Sequence, residues 1–403
     1  MSVASGPTSP TARPGPARRI AVWVLLVVAV AILAWLLATR SDSFLGNDDF
    51  VQYWAAARLN QAGDNPYDAE KLWSLQRSWH SVDSRAVRMW NPPWVLPLVA
   101  PFALLPYPQA RSIWFLVSLV AVMTAGYLAW DASGGPRSAY PVAAILIVLF
   151  APTLFTLKMG QISGFVLLGV AGFLYAASHE RWILAGCFAS LLTIKPHYLY
   201  LFWVALVLWS LRAKKCRALV ASAAAVLVAL ALAMLTNVTV LHQYCQAALS
   251  DPLHYWAPPT FGTLLRLAWG HDRHWLQFIP MLIGLIWVLC YWNRHSKQWD
   301  WTDHLPLLIS VSAVTAPYGW SYDLVVLVPA IMHVALLALR GACRPAQLGG
   351  IALYGMINLI AIWQNLTSVG ELFYVWMPSA LLWSHLLMLA VIRRVQLQAK
   401  PLS

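Results

Sequence analysis

Apolar runs long enough to cross a lipid bilayer recur along nearly the whole chain, from residue 20 to residue 392, and no other feature narrows the fold so far. A helical crossing takes roughly 20 apolar residues. Backbone N–H and C=O groups find no water in hydrocarbon, so such runs must be helices that satisfy their own hydrogen bonds. With 60% of 403 residues hydrophobic and 10% charged, the chain is far greasier than one soluble core requires. It is expected to be an all-α polytopic membrane protein.

The charge distribution gives the orientation. A net charge of +12 could suggest nucleic acid, but much of it sits in short connectors: Arg13, Arg18 and Arg19; Arg212, Lys214, Lys215 and Arg217; Arg340 and Arg344; Arg393, Arg394 and Lys400. Short basic connectors mark the cytoplasmic side, so a nucleic-acid partner is not expected and membrane lipids are. Residues 1–19 read as a disordered cytoplasmic tail, 20–394 as one transmembrane domain and 395–403 as a second cytoplasmic tail. The run 20–38 is too long for a signal-peptide core and is expected to be a retained helix. The five cysteines are scattered with no CxxC spacing, which suggests neither a disulfide framework nor a metal site.

Thirteen apolar segments can be drawn, too many for both basic termini to be cytoplasmic. Either 94–106, with Pro97, Pro101 and Pro106, is re-entrant, or 182–211 is one helix broken around Lys195 and Pro196. Both solutions leave about 12 crossings. They also place two long polar intervals, 39–92 and 237–275, on the exoplasmic side.

The first interval holds seven of the fifteen acids, including the adjacent pair Asp48 and Asp49. Behind them Phe50, Tyr53, Trp54 and Ala57 fall at i, i+3, i+4 and i+7, a pattern that predicts a helix over 50–60 lying on the membrane surface. A second short helix is expected over 68–79. An acid at a helix start commonly caps free N–H groups, but two adjacent acids cannot both be the cap. If Asp48 caps, Asp49 faces Tyr53 and Trp54, where an acid calls for a partner or a task.

The run Asp49-Phe50 with Tyr53, Ala56, Gly63 and Asn65-Pro66-Tyr67-Asp68 resembles the signature of glycosyltransferase family 87. The resemblance continues through Asn91-Pro92-Pro93, Pro101, Leu105-Pro106-Tyr107, Ala110 and Trp114. It recurs at Gly160-Gln161, Ala185-Gly186, Lys195-Pro196, Pro317-Tyr318 and Tyr322-Asp323-Leu324, so that it covers roughly residues 46–330. It implies a GT-C type multispan bundle whose long exoplasmic first loop carries surface helices and a catalytic acid. The implied donor is a polyprenyl-phosphate sugar, most simply a mannose, and the acceptor a lipid or glycan. Asp49 matches the family's acid, with Asp48 as alternate. The implied setting is the plasma (inner) membrane, multi-pass, with the active site on the exoplasmic or periplasmic side.

The chemistry asks for such residues. A base must take the acceptor's hydroxyl proton, and cations or N–H donors must meet the charge developing on the leaving phosphate. Lys195, Lys158, Arg58 and Arg266 are the candidate phosphate contacts. Lys195 is preferred because Lys-Pro-His interrupts an apolar run, although a lysine there could also snorkel from a helix end. Gln161 could donate to phosphate or sugar, or tie helices together. Asp323 could cap a helix or orient a sugar hydroxyl, and Tyr53 and Tyr322 are further substrate contacts. Most of the 23 tryptophans suit interfacial belts. Trp79, Trp90 and Trp256, in polar stretches, could line a glycan groove. His271 and His274 are a weak metal pair without a third ligand, so no metal and no cofactor are expected. A flippase or transporter, or a non-catalytic component of polysaccharide assembly, are the alternatives.

Overall fold

In the computed structural model residues 49–79, 85–250 and 256–398 are described. The tail 1–19, the run 20–38 and Asp48 lie outside them. Among the described residues all regular structure is helical. The chain enters many of these helices on a proline at the second position, as at Pro108, Pro141, Pro152, Pro280, Pro329 and Pro345. A proline there gives up only an N–H that has no intrahelical partner anyway.

Among the described residues six helices are long and apolar enough to cross a membrane: Tyr107–Ala132, Arg217–Met234, His274–Gln298, Ser321–Gly341, Arg344–Leu366 and Glu371–Ile392. Arg137–Val148 and Ala151–Lys158 form a pair bent by 64° that makes a seventh if counted as one span. Four shorter apolar helices accompany them: Pro93–Ala103, Ser163–Ser178, Trp182–Ile194 and Tyr200–Ala213. The protein is thus a helical membrane protein, while the expected twelve crossings are not all met by full-length helices. Proline and lysine break the runs. The stretch 182–211 is two helices separated at Lys195-Pro196-His197-Tyr198-Leu199, and these pack against different neighbours.

Ser163–Ser178 is the central helix, buried along nearly its whole length against Tyr107–Ala132 and Trp182–Ser190. Arg217–Met234 lies at the periphery, with Val220, Leu227, Val228 and Leu232 exposed, as a helix facing lipid requires. Gly186 lets it approach Trp182–Ser190 closely, since a Cβ there would stand 2.3 Å from the Ala218 carbonyl oxygen.

The first polar interval does hold two short helices, Phe50–Gln61 and Ala69–Gln76. The first is not a surface helix. Phe50, Val51, Gln52, Tyr53, Trp54, Ala55, Ala56 and Ala57 are all buried, so it is enclosed on every face by the rest of the protein. Phe50 stacks on Trp114 with ring centroids 5.0 Å apart, and Trp54 Nε1 donates to the Leu105 carbonyl at 3.0 Å. The apolar stripe marked only one of its buried faces, because polar residues on the others have partners. Asn60 Nδ2 reaches the Ala233 carbonyl at 3.0 Å and Thr236 Oγ1 at 2.9 Å. The last helix runs to Gln398, into the segment expected as a tail.

Candidate active site

Asp49 stands one residue before the first helical residue, at the cap position, with helical backbone angles and no side-chain capping bond. Its N–H donates to the Met159 carbonyl at 2.8 Å, which ties the start of this helix to the turn after Ala151–Lys158. That turn depends on Gly160, whose φ is +64° and whose missing Cβ would lie 2.8 Å from Phe50 Cβ. Trp114 Nε1 donates to the Gly160 carbonyl at 2.8 Å and braces the turn. Gln161 therefore emerges directly opposite Asp49, and its Nε2 donates to Asp49 Oδ2 at 2.5 Å.

Gln161 is held in turn. Its Oε1 accepts from the Tyr53 hydroxyl at 3.0 Å and from Lys195 Nζ at 3.2 Å. Burial pushes the Tyr53 phenol well above its ordinary value, and the charges of Asp49 and Asp323 push the same way, so this hydroxyl keeps its proton to donate. Lys195 also donates to Ser163 Oγ at 3.0 Å and to Asp323 Oδ1 at 2.6 Å. An ammonium has three N–H groups, and here all three are in use. Tyr322 lies beneath it, with Nζ 5.1 Å from the ring centroid.

Asp323 completes the network. Oδ1 accepts from Lys195 and from Ser163 Oγ at 2.6 Å, and Oδ2 accepts from the Trp320 N–H at 3.0 Å. It both pairs with a cation and braces the start of its own helical turn. The two charged side chains are 12% and 6% exposed. For so enclosed a pair, removing one partner strands the other charge in low dielectric, at about 3–5 kcal/mol.

Asp49, Tyr53, Gln161, Lys195, Tyr322 and Asp323 line a cavity of about 890 Å³. Its wall also carries Trp90, Trp256, Tyr318, Trp320 and His197, with Glu70, Arg85 and Arg88 as further charged groups. Trp90 meets Trp256 edge to face at 5.3 Å, and Trp256 meets Trp320 at 5.5 Å, so three separate loops join in one aromatic surface. Among the described residues no group of three or more His, Cys, Asp or Glu side chains is arranged to hold a metal ion.

Of the residues singled out from the sequence, Asp49, Tyr53, Gln161, Lys195, Tyr322 and Asp323 come together here, and Trp90 and Trp256 face the same space. Three proposed phosphate contacts are engaged elsewhere and are absent from the lining. Arg58 donates to the Ala103 carbonyl at 2.9 Å and stacks over Trp54. Lys158 Nζ bonds Asn365 Oδ1 at 3.2 Å. Arg266 is buried and bonds Gln277 Oε1 at 3.2 Å. Trp79 is exposed and also outside the cavity. Sequence reasoning missed Ser163, Arg85, Arg88, His197 and Trp320. Ser163 and His197 stand two residues from Gln161 and Lys195, which is the signal that could have found them.

Other signature residues act as scaffold. Asp68 accepts from the Glu70 and Lys71 N–H groups at 2.9 and 3.0 Å, and so starts the Ala69–Gln76 helix. Asn91 Nδ2 donates to the Ile194 carbonyl at 3.2 Å while the Asn91 carbonyl accepts from the Tyr67 hydroxyl at 3.2 Å, pinning the first interval beside Lys195.

The model for glycosyltransferase family 87 matches residues 90–362, more than half of the chain. The chain belongs to glycosyltransferase family 87. No curated protein matches it. Membership supports transfer of a sugar from a donor to an acceptor by this membrane protein, and the matched span takes in Gln161, Lys195, Tyr322 and Asp323. It begins after Asp49, so within this family 87 member the part played by Asp49 has to be argued from geometry.

Proposed function

We propose that the protein moves a hexose, most simply mannose, from a polyprenyl-phosphate donor to a lipid or glycan acceptor on the exoplasmic side of the plasma membrane, with Asp49 as general base. The observation that carries this reading is the Asp49 carboxylate in the wall of a large polar cavity, hydrogen-bonded through Gln161 to a cation within a bundle of apolar helices. Asp49 takes the proton of the acceptor hydroxyl as that oxygen bonds to the anomeric carbon and the bond from that carbon to the phosphate oxygen breaks. A positioned base contributes about 10²–10⁴-fold to such a step.

Lys195 is committed to Asp323, so its effect on the departing phosphate is the field of a held cation, and the guanidinium groups of Arg85 and Arg88 supply direct contacts. The aromatic surface of Trp90, Trp256 and Trp320 suits sugar rings.

The test is transfer from radiolabelled polyprenyl-phosphate mannose to a panel of lipid acceptors by protein purified into nanodiscs. Transfer that disappears in a folded Asp49→Asn variant supports the reading. Transfer that survives in that variant, or movement of intact lipid-linked sugar across vesicles without transfer, overturns it.

A further inference from the structure

We infer that Gln161 is the positioning residue of this site: its amide donates to Asp49 and keeps that carboxylate ionised and aimed, and the amide is locked in that orientation by Tyr53 and by the Lys195–Asp323 ion pair. The catalytic meaning of this inference rests on Asp49 being the base. The hydrogen-bond arrangement itself does not.

The orientation of an amide follows from its neighbours. Two donors, the Tyr53 hydroxyl and the Lys195 ammonium, converge on Oε1. Rotating the amide by half a turn would press its NH₂ group against both of them and leave two oxygens, those of Gln161 and Asp49, facing each other. Only one orientation satisfies every group, and it directs Nε2 at Asp49 Oδ2. Lys195 cannot easily drift, because its other N–H groups are taken by Ser163 and Asp323. The backbone is fixed as well, with the Gln161 N–H bonded to the Thr156 carbonyl at 3.0 Å and the Asp49 N–H bonded to Met159 at 2.8 Å. The arrangement is thus a relay of contacts, Asp323 to Lys195 to Gln161 to Asp49, drawn from four separated stretches of chain.

A hydrogen bond donated to a carboxylate favours its charged form. Around Asp49 this matters, because another acid, Glu371, acts against that charge. Among the groups that interact with it are Tyr53 on the helix that follows it, Tyr322 next to Asp323, and Glu371 at the start of the last candidate span. Two of the nearby side chains, Asp323 and Glu371, are acids. Gln161 is a neutral donor that offsets them at short range, and it transmits the orientation of the only ion pair in contact with its amide among the described residues.

The experiment uses the full-length protein in nanodiscs and dicyclohexylcarbodiimide, which reacts with protonated carboxyl groups in apolar surroundings. Labelling of Asp49 is followed against pH by mass spectrometry, with fragment ions separating it from Asp48. In Gln161→Leu the pH at which labelling is half lost should move up by about one unit, the equivalent of one charge-assisted hydrogen bond. In Gln161→Glu, which keeps side-chain length and polarity should the first variant fail to fold, it should also move up, since the donor is lost and a like charge gained. The acidic limb of kcat/KM for sugar transfer should shift in the same direction, with about a tenfold fall at pH values below the limb. A purely structural glutamine would lower thermal stability without moving either profile. Midpoints equal to wild type in folded variants would overturn the inference. Full transfer by Asp49→Asn would instead overturn the base reading, and the labelling midpoints would still decide the positioning.

Discussion

Two internal spaces among the described residues treat polar groups in different ways. The cavity at Asp49 holds about 890 Å³, and its polar side chains bond to one another across segments distant in sequence. The second space, about 200 Å³, lies among the helices Tyr140–Val148, Trp301–Thr315, Val328–Gly341, Arg344–Leu366 and Trp376–Gln398, and most of its lining is apolar. There Ser310 and Ser384 turn back onto their own helices, donating to the Pro306 and Leu381 carbonyls at 2.8 Å, and Gln347 Nε2 and the Tyr354 hydroxyl donate to the Ala338 and Leu146 carbonyls of neighbouring helices. His385 is 4% exposed, and its Nδ1 has no hydrogen-bond partner among the described residues. The difference teaches that polarity inside a helical bundle organises a site only where polar groups need one another. Around the second space the hydrogen-bonded polar side chains end on backbone carbonyls and form no such network.

The hardest blow to this contrast should come from Asp49→Asn. It is expected to lower transfer by about 10²–10⁴-fold with little change in thermal stability, measured as radiolabelled product against the unfolding midpoint of the same preparation. Next is Lys195→Met, which strands Asp323 and should destabilise by about 3–5 kcal/mol. The double variant Lys195→Met/Asp323→Asn should recover part of that loss without recovering activity, and equal stability of the two variants would show the pair to be unimportant. Gly160→Ala forces a left-handed backbone on a residue with a Cβ, at about 1–2 kcal/mol, and crowds Phe50. It should lower activity by more than its stability loss explains, because Gln161 follows the turn.

Tyr53→Phe should be milder, about 1 kcal/mol near neutral pH for one lost hydrogen bond. The sign of its pH dependence follows from the raised phenol. The folded state holds the Tyr53 proton above the ordinary value of 10.0, whereas the unfolded chain releases it there. Stability is therefore fully present below about pH 10 and declines as pH rises beyond it. Unfolding scans between pH 8 and about 11 should show a shallower alkaline decline in Tyr53→Phe than in wild type. Smallest of all, His385→Leu should leave transfer unchanged and stability equal or slightly higher, since it removes a buried polar atom without a partner. A strong loss of transfer would show that the second space matters to the chemistry.

The helical membrane class was legible because hydrocarbon leaves an apolar chain few choices. Much of the site was legible for a related reason: Gln161, Lys195 and Asp323 are polar residues set among apolar runs, where a side chain without a partner is expensive. Lys158 met the same criterion and is bound to a side-chain amide instead, while Arg58 and Arg266, in the polar intervals, are held by a backbone carbonyl and a side-chain amide. Composition marks a cation but not its partner. The 50–60 helix was misplaced because periodicity detects one apolar face and cannot see that Gln52 and Asn60 occupy buried positions on others. The number of crossings was hardest to read, since breaks such as that at Lys195-Pro196 make a helix end by hydrogen bonding inside the protein rather than at the lipid boundary.

The pairing of Lys195 with Asp323 also bears on how the protein is made. More than a hundred residues separate them, so the ribosome delivers the cation to the membrane well before its counter-ion exists. During that time Lys195 must stay in touch with water or with the insertion machinery. The cavity at Asp49 can close only once the segment bearing Asp323 has been synthesised and packed, and a prematurely ended chain could seat many of its helices in the bilayer without forming it.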